Sequence, residues 1–496
     1  MAITLSGSPQ IIAPAYNPTV YFVDSDNKTE PSFRYVVDVY EAGTTNKIGE
    51  YRVAPRPSDG LGYVDISKLI DSTLTYDFNP TLTTYDIASN SFYDYDIKFG
   101  EEYSTAWLYD DFEVGGGTGT TYCNVKLTTL TAATGHNFST GDQVVVTQVS
   151  GGTALNKSIN GLHTVVLGLT GSTDQYIIID DLWVCGGGAV VSGGPFGGSI
   201  VFADNRNTVY RDLLAVTGQT AFNGALPFNT FNAYDYSNYG LASIISTIKC
   251  ALTDMPTVFG ATPDQDIWFN YMKDPADAGL QTIVFTNSNG DVLSKDMWTA
   301  ATGGSVNQTS VGPNNANPTT VISGTTTLVK SDTTWYEFQT ERFSIPTSKT
   351  YRINIDNRCK IEDYEILFLD RMGSFVSYAF QLRAKELGSI TKQTYNKQLG
   401  DLVVDEWGYD TSDAGKTVYD VNVTKKLTLN TDWMTDDMSV YFEQLLTSPV
   451  TYVKIDGSYY SCQILESSFE TARQKNKNLI RKTITIQLSN DNIINI

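Results

Sequence analysis

"CKIEDYEILFLDRMGSFVSYAF", residues 359–380, is the stretch whose reading decides the fold. Cys359, Glu362, Asp363, Glu365, Asp370 and Arg371 crowd into one short run, as they would at the corner of an active site. The spacing of the apolar residues supports another reading. Tyr364, Ile366 and Phe368 alternate with Glu365, Leu367 and Leu369, which predicts a largely buried strand. "DRMG" then offers a turn, with Gly373 free to take a conformation that other residues resist. "SFVSYAF" returns as the partner strand. In this hairpin Cys359 is a small apolar filler and not a nucleophile. Arg371, at the tip, is the one residue of the stretch to test for a contact with a neighbouring subunit.

Composition agrees with a β-rich chain. The 496 residues suit about three domains at roughly 100–200 residues each. Charged residues are only 18%, so Thr, Ser, Asn, Gly and the 30 tyrosines carry the polar balance. Thr, Tyr and Val favour pleated strands, and Gly and Asn favour turns. The excess of acids over bases, 55 against 34 for a net −21, argues against specific nucleic-acid binding, which needs basic stripes to meet phosphates. No secretory signal peptide is read at the start, and no run approaches the ~20 apolar residues of a spanning helix. The five cysteines (123, 185, 250, 359, 462) show no CxxC spacing and read as free thiols, with the pairing of Cys123 and Cys185 left open.

Punctuation along the chain suggests four parts. "FRYVVDVY" (33–40) puts Phe33, Tyr35, Val37 and Val39 on one face, and "EAGTTNK" turns it into a second strand. "GYVDISKLIDSTL" runs from a strand into a short helix. Residues 1–114 with 199–215 are expected as an N-terminal β-sandwich-like domain. Glycine clusters at 115–120 and 186–198 bracket an inserted small β-barrel, residues 115–198. Residues 216–385 are expected as a second β-sandwich-like domain. Within it "NSNG" makes a hairpin, and 299–332, almost all Thr, Asn, Gly and Ser, makes a long exposed loop. Residues 386–496 are expected as an α+β domain. There "KTVYDVNVTKKLTLN" is a strand and "TDWMTDDMSVYFEQLLTSP" a helix capped by Thr431 or Asp432. Met434, Met438, Tyr441, Phe442 and Leu445 form its core stripe, and a hairpin follows around Asp456-Gly457.

No catalytic constellation emerges. The two histidines, His136 and His163, occupy no metal-ligand spacing, and no nucleophile elbow, Walker loop or dinucleotide fingerprint is present. "DSDN" (24–27) lacks the glycine and distal glutamate of a calcium loop and reads as a turn. Glu362, Asp363, Glu365 and Asp370 are the only set that suggests paired carboxylates for glycoside hydrolysis, an expectation weakened by the absence of β-helix repeats. Tyrosines in "NAYDYSNYG" (232–240) could stack on sugars or fill a core. The expectation is therefore a non-enzyme without metal or cofactor.

Two resemblances extend this. "GHNFSTGDQVVVTQVSGGTALNKSINGLHTVV" followed by "DQYIIID" is similar to a small β-module recurring in phage tail and stubby-tail proteins. That family's pattern is roughly "HGLSTGDxVxIxGVxGxxxLNGxxxV". Ser139-Thr140-Gly141-Asp142 supply the turn and Leu155-Asn156 the "LN"; the extra "KSIN" before Gly161 departs from it. Much of the remaining chain resembles virion structural proteins of tailed phages infecting Bacteroidetes. The residues concerned are "FRYVVDVY…GYVDISKL", "AFNGAL" (221–226), "LTDMP" (252–256) and Cys359 with "FLDRMGSF" (368–375), in which Asp370 and Ser374 replace the commoner Asn and Gly. The resemblance implies a structural component of the virion tail, baseplate or portal-proximal region, made in the bacterial cytoplasm. It also implies a tube-like barrel for the C-terminal part, assembly into a homo-oligomeric ring, and other tail or baseplate proteins as partners. A receptor-binding or fibre-associated protein touching host surface glycans is the alternative.

Overall fold

A computed structural model describes residues 3–30, 32–104, 107–114, 122–129, 138–147, 161–169, 176–184, 191–192, 198–202, 208–241, 248–274, 279–298, 305–357, 364–412, 415–466, 480–489 and 493–494. The chain is mainly β, with several separate sheets. Its contacts divide it into two compact units. One comprises residues 1–9, 18–69 and 94–219, the other residues 10–17, 70–93 and 220–496.

In the first unit, Arg34–Glu41 pairs antiparallel with Lys47–Val53 on one side, and on the other with the strand that continues through Tyr103. A second small sheet joins Ile3–Gly7, Val20–Ser25 and Gly62–Asp65. Phe33, Tyr35, Val37 and Val39 are buried as their alternation predicts. The opposite face is buried too at Val36 and Asp38. Asp38 tolerates this because Lys47 and Arg211 reach its two oxygens at 2.9 and 2.5 Å. The "DSDN" segment is a turn tied down by Glu101, which accepts from the Ser25 hydroxyl and from the Asn27 amide.

The same unit holds the glycine-bracketed segment. Its strands pair in the order Tyr122–Thr129, Tyr176–Val184, Gly161–Leu169, Gln143–Thr147, Gly198–Phe202 and Trp107–Val114. Trp107–Val114 also pairs with Tyr122–Thr129, so the ladder returns on itself. Val125, Leu127, Val144, Val146, Val165, Ile177, Ile179 and Ile200 are buried among these strands. The ladder begins and ends a few residues outside the expected 115–198 boundaries.

Among the described residues the second unit contains four sheets, one of them only two-stranded, and the helix Asp436–Thr447. Tyr364–Leu369 and Phe375–Phe380 pair in register, Glu365 opposite Ala379 and Phe368 opposite Val376, as the hairpin reading requires. Both strands then continue into one sheet with Thr451–Ile455, Ser458–Ile464, Thr483–Leu488, Lys416–Asn430 and Lys385–Asn396. A boundary at 385 therefore falls within one sheet. One hydrophobic core runs from Phe269, Phe285 and Phe338 to Phe368, Phe442 and Leu445.

Two expectations need correction here. The segment expected as a long exposed loop, 299–332, includes the buried strand Val306–Ser310, placed between Trp268–Met272 and Tyr85–Ile87. Its polar side chains survive burial by finding acceptors: the Thr309 and Ser310 hydroxyls donate to the Thr84 carbonyl at 3.0 and 3.2 Å. The buried Lys295 adds a third tie, reaching the Ser310 and Ala316 carbonyls, each at 2.5 Å. Among the described residues of that segment, Thr320–Ser323 forms an exposed strand. The helix N-cap is Thr435, whose hydroxyl accepts from the Met438 N–H at 3.3 Å, and not Thr431 or Asp432. Thr431 is engaged elsewhere, accepting from the Lys482 N–H at 2.8 Å. Tyr441, Phe442 and Leu445 face the core as their spacing predicts.

Candidate functional site

The turn of the 364–380 hairpin gathers the motifs that the sequence singled out. Asp370 is buried at its first corner. One carboxylate oxygen accepts from the Met372 and Ser374 N–H groups at 3.0 and 2.9 Å, closing the turn. The other accepts from the Thr253 hydroxyl of "LTDMP" at 2.6 Å and from the Tyr441 hydroxyl at 3.4 Å. Ser374 donates its hydroxyl to the Leu252 carbonyl. From "AFNGAL", Ala225 donates its N–H to the Arg371 carbonyl at 2.8 Å. Gly373 has φ +85°, and a Cβ there would run into the Asn223 carbonyl. Residues more than a hundred positions apart thus meet on one five-residue turn.

Beside the turn lies a cavity of 610 Å³ with Leu74, Tyr76, Leu369, Pro449 and Val450 among its apolar walls. Arg371 and Gln444 supply its polar edge. Gln444 accepts from the Arg371 N–H at 2.9 Å and donates to Asp254 at 3.1 Å. Burial raises Asp254, and it pushes Asp370 up to about 7.

Of the carboxylates expected as a hydrolytic set, the two among the described residues, Glu365 and Asp370, do not pair with each other. Glu362 and Asp363 lie outside the described residues, as do Cys359, Cys185 and His136. Glu365 belongs to a separate network: it accepts from the Asp266 N–H at 2.9 Å and sits 3.2 Å from the Lys454 ammonium. Asp266 in turn accepts from Lys454 and from the Tyr459 hydroxyl, each at 2.6 Å. Burial pushes Glu365 up to about 7 although Lys454 pulls the other way. Each carboxyl is held by the fold; their partners, Thr253 and Tyr441 for one and Lys454 and Asp266 for the other, are distinct. His163 lies 3.4 Å from Asp180. Cys250 and Cys462 are free thiols, and the Cys123 side chain lies outside the described residues. Of the tyrosines in 232–240, Tyr234 is buried and donates to the Ile12 carbonyl, while Tyr236 and Tyr239 pack against the same core. Tyr234 is a core aromatic, and Tyr236 and Tyr239 are half-buried at its edge. Among the described residues no cluster of His, Cys, Asp or Glu is placed to hold a metal ion, and no helix is long and apolar enough to cross a membrane.

The most exposed element escaped the sequence reading. Lys385–Asn396 pairs with Lys416–Asn430 along its whole length, and every one of its twelve residues is exposed. Thr483–Leu488 supports the second strand only over Lys426–Asn430, and Ile493–Ile494 only at Val421 and Asn422. Farther out, the two strands have only each other, which leaves a ribbon of marginal stability in water. At its end, Asp401–Val403 and Glu406–Gly408 form a tight hairpin through Val404 and Asp405, both at positive φ. Trp407 donates its indole N–H to the Leu399 carbonyl at 3.2 Å, fixing the tip. The tip nevertheless leaves Val404 91%, Leu402 72% and Trp407 61% exposed. "DLVVDEWG", two short apolar runs around a turn, was the available signal. No protein-family model matches the chain, and no curated protein matches it either.

Proposed function

We propose that the chain is a non-enzymatic structural component of a phage virion, which assembles through its projecting ribbon into a ring of the tail, baseplate or portal-proximal region. The observation that carries this reading is the 385–430 arm. A two-stranded ribbon that holds Trp407, Val404, Leu402 and Ile390 out in water is costly for a monomer, and it becomes an asset once a neighbour covers it. The convergence of "AFNGAL", "LTDMP" and "FLDRMGSF" on one turn adds support, because it gives the motifs behind the resemblance a common structural task. In this reading the self-returning ladder of 107–202 is the small barrel of tail modules, and the 364–494 sheet with its helix is the tube-like element. The acidic balance suits a lumen through which DNA passes without sticking.

A receptor-binding role through glycan-stacking tyrosines finds less support, since Tyr234 is committed to the core. The test has two parts. Mass spectrometry of purified virions should find the chain, and the full-length protein should self-associate as its concentration rises. A protein that is absent from virions and stays monomeric refutes the reading. Cell binding that depends on residues 115–198 would favour the receptor alternative.

A further inference from the structure

The arm carries its charges in two separate zones. Along the shaft stand Lys385, Lys392, Lys397, Lys416, Lys425 and Lys426, against only Glu386 and Asp420. From residue 398 to 412 there is no Lys or Arg, and Asp401, Asp405 and Glu406 are exposed at the tip. In a chain of net charge −21 a basic surface is the exception and needs an acidic counterpart.

The apolar residues follow the same division. Cross-strand partners and their second neighbours share a face. Ile390 opposite Val423 therefore lies on one face with Lys392 opposite Val421 and Gly388 opposite Lys425. That face is an aliphatic strip, 61% exposed at Ile390, with Lys392 at one end and at the other Lys425, which pairs with Glu386 at 3.0 Å. The tip presents the complement: Leu402, Val404 and Trp407 flanked by carboxylates. Within one chain the tip does not cover its shaft: Ile390 on that face and Trp407 at the tip are each 61% exposed, and beyond the Lys397 N–H, which donates to the Gly415 carbonyl at 2.6 Å, Asp401–Val403 and Glu406–Gly408 pair only with each other among the described residues.

The geometry points to a second copy of this chain as the occupant: the tip of one arm docks on the Ile390–Val423 face of the next copy's shaft. The contact is head-to-tail, so each copy offers one tip and one shaft, and repetition gives a closed ring or an open filament according to the rotation between copies. This inference rests on the assembly reading above and names its interface.

Charge reversal of the full-length chain tests it. Asp405→Lys with Glu406→Lys reverses the tip, and Lys392→Glu with Lys425→Glu reverses the shaft. All four positions are exposed, and unchanged thermal unfolding verifies that each variant folds. Each reversed chain alone should self-associate on the order of tenfold more weakly than wild type at low salt, with the difference shrinking as salt rises. Mixing the two reversed chains should restore assembly to within about threefold, because each tip then meets a shaft of opposite sign. If wild type assembles but the reversed chains assemble equally well, or if mixing restores nothing, the tip-to-shaft contact is wrong while the assembly reading stands. If wild type does not assemble at all, the tip-to-shaft contact falls, and the assembly reading falls with it when the chain is also absent from virions.

Discussion

The Thr253 hydroxyl donates to the buried carboxyl of Asp370 at 2.6 Å, joining two segments 117 positions apart. That bond ties the turn of the central hairpin to the rest of its unit. Thr253→Val keeps the shape and removes the donor, leaving a buried acceptor short of a partner. It should cost about 1–3 kcal/mol, read as a lower urea midpoint with unchanged slope. A midpoint equal to wild type would mean that the bond is incidental.

Asp370 and Glu365 both contribute to the pH dependence of that unit. Burial raises their folded values to about 7 from ordinary values of 3.8 and 4.5. The folded state therefore holds more protons than the unfolded state between about pH 4 and pH 7. Stability from these groups is full below that window and is lost as pH rises through it. The urea midpoint should be higher near pH 5 than near pH 8, and Asp370→Asn should flatten the change. The first unit carries an opposite trend at lower pH. Glu50, hydrogen-bonded by Lys47 and also by Arg52, is lowered to about 2, so its contribution is lost as pH falls from about 4.5 towards 2.

Gly373 is needed for its conformation and for its lack of a side chain. Gly373→Ala combines a left-handed backbone, which costs a non-glycine residue about 1–2 kcal/mol, with a clash against the Asn223 carbonyl. The loss should exceed about 2 kcal/mol. Gly457→Ala, also at positive φ but with open space around it, should show only the backbone part. Equal losses at the two positions would contradict the packing argument.

Lys295 replaces a carboxylate partner with carbonyls. Its ammonium is buried, reaches Ser310 and Ala316, and burial pulls its pKa well below the ordinary value. Lys295→Ala strips the Ser310 and Ala316 carbonyls of this donor and opens a cavity, so a loss of roughly 3 kcal/mol or more is expected by chemical denaturation.

These positions show how far the sequence could be read. The 364–380 hairpin was legible because Tyr364 to Leu369 alternate and Gly373 closes "DRMG"; both are local signals. The helix was legible too, from the spacing of Tyr441, Phe442 and Leu445, but its start was misplaced. Thr431 looks like a cap and instead serves Lys482, a partner 51 residues away. Val306–Ser310 looked like loop because Asn, Gln, Thr and Ser dominate it, and its burial depends on Thr84 and Lys295, which local composition does not reveal. The meeting of Asn223, Thr253 and Asp370 was marked only as separate motifs. The arm was missed because Lys385–Asn396 lacks an apolar face of its own; its strand character comes from its pairing with 416–430.

In the proposed assembly the arm serves self-association and leaves the stability of the folded chain untouched. Trp407→Ala removes an exposed side chain, so unfolding should move by less than about 0.5 kcal/mol while self-association weakens. Electron microscopy of the concentrated full-length protein tests the central claim most directly. The account predicts multi-copy rings of one size for wild type and their loss on Trp407→Ala, and a field of single separate chains for wild type would contradict it.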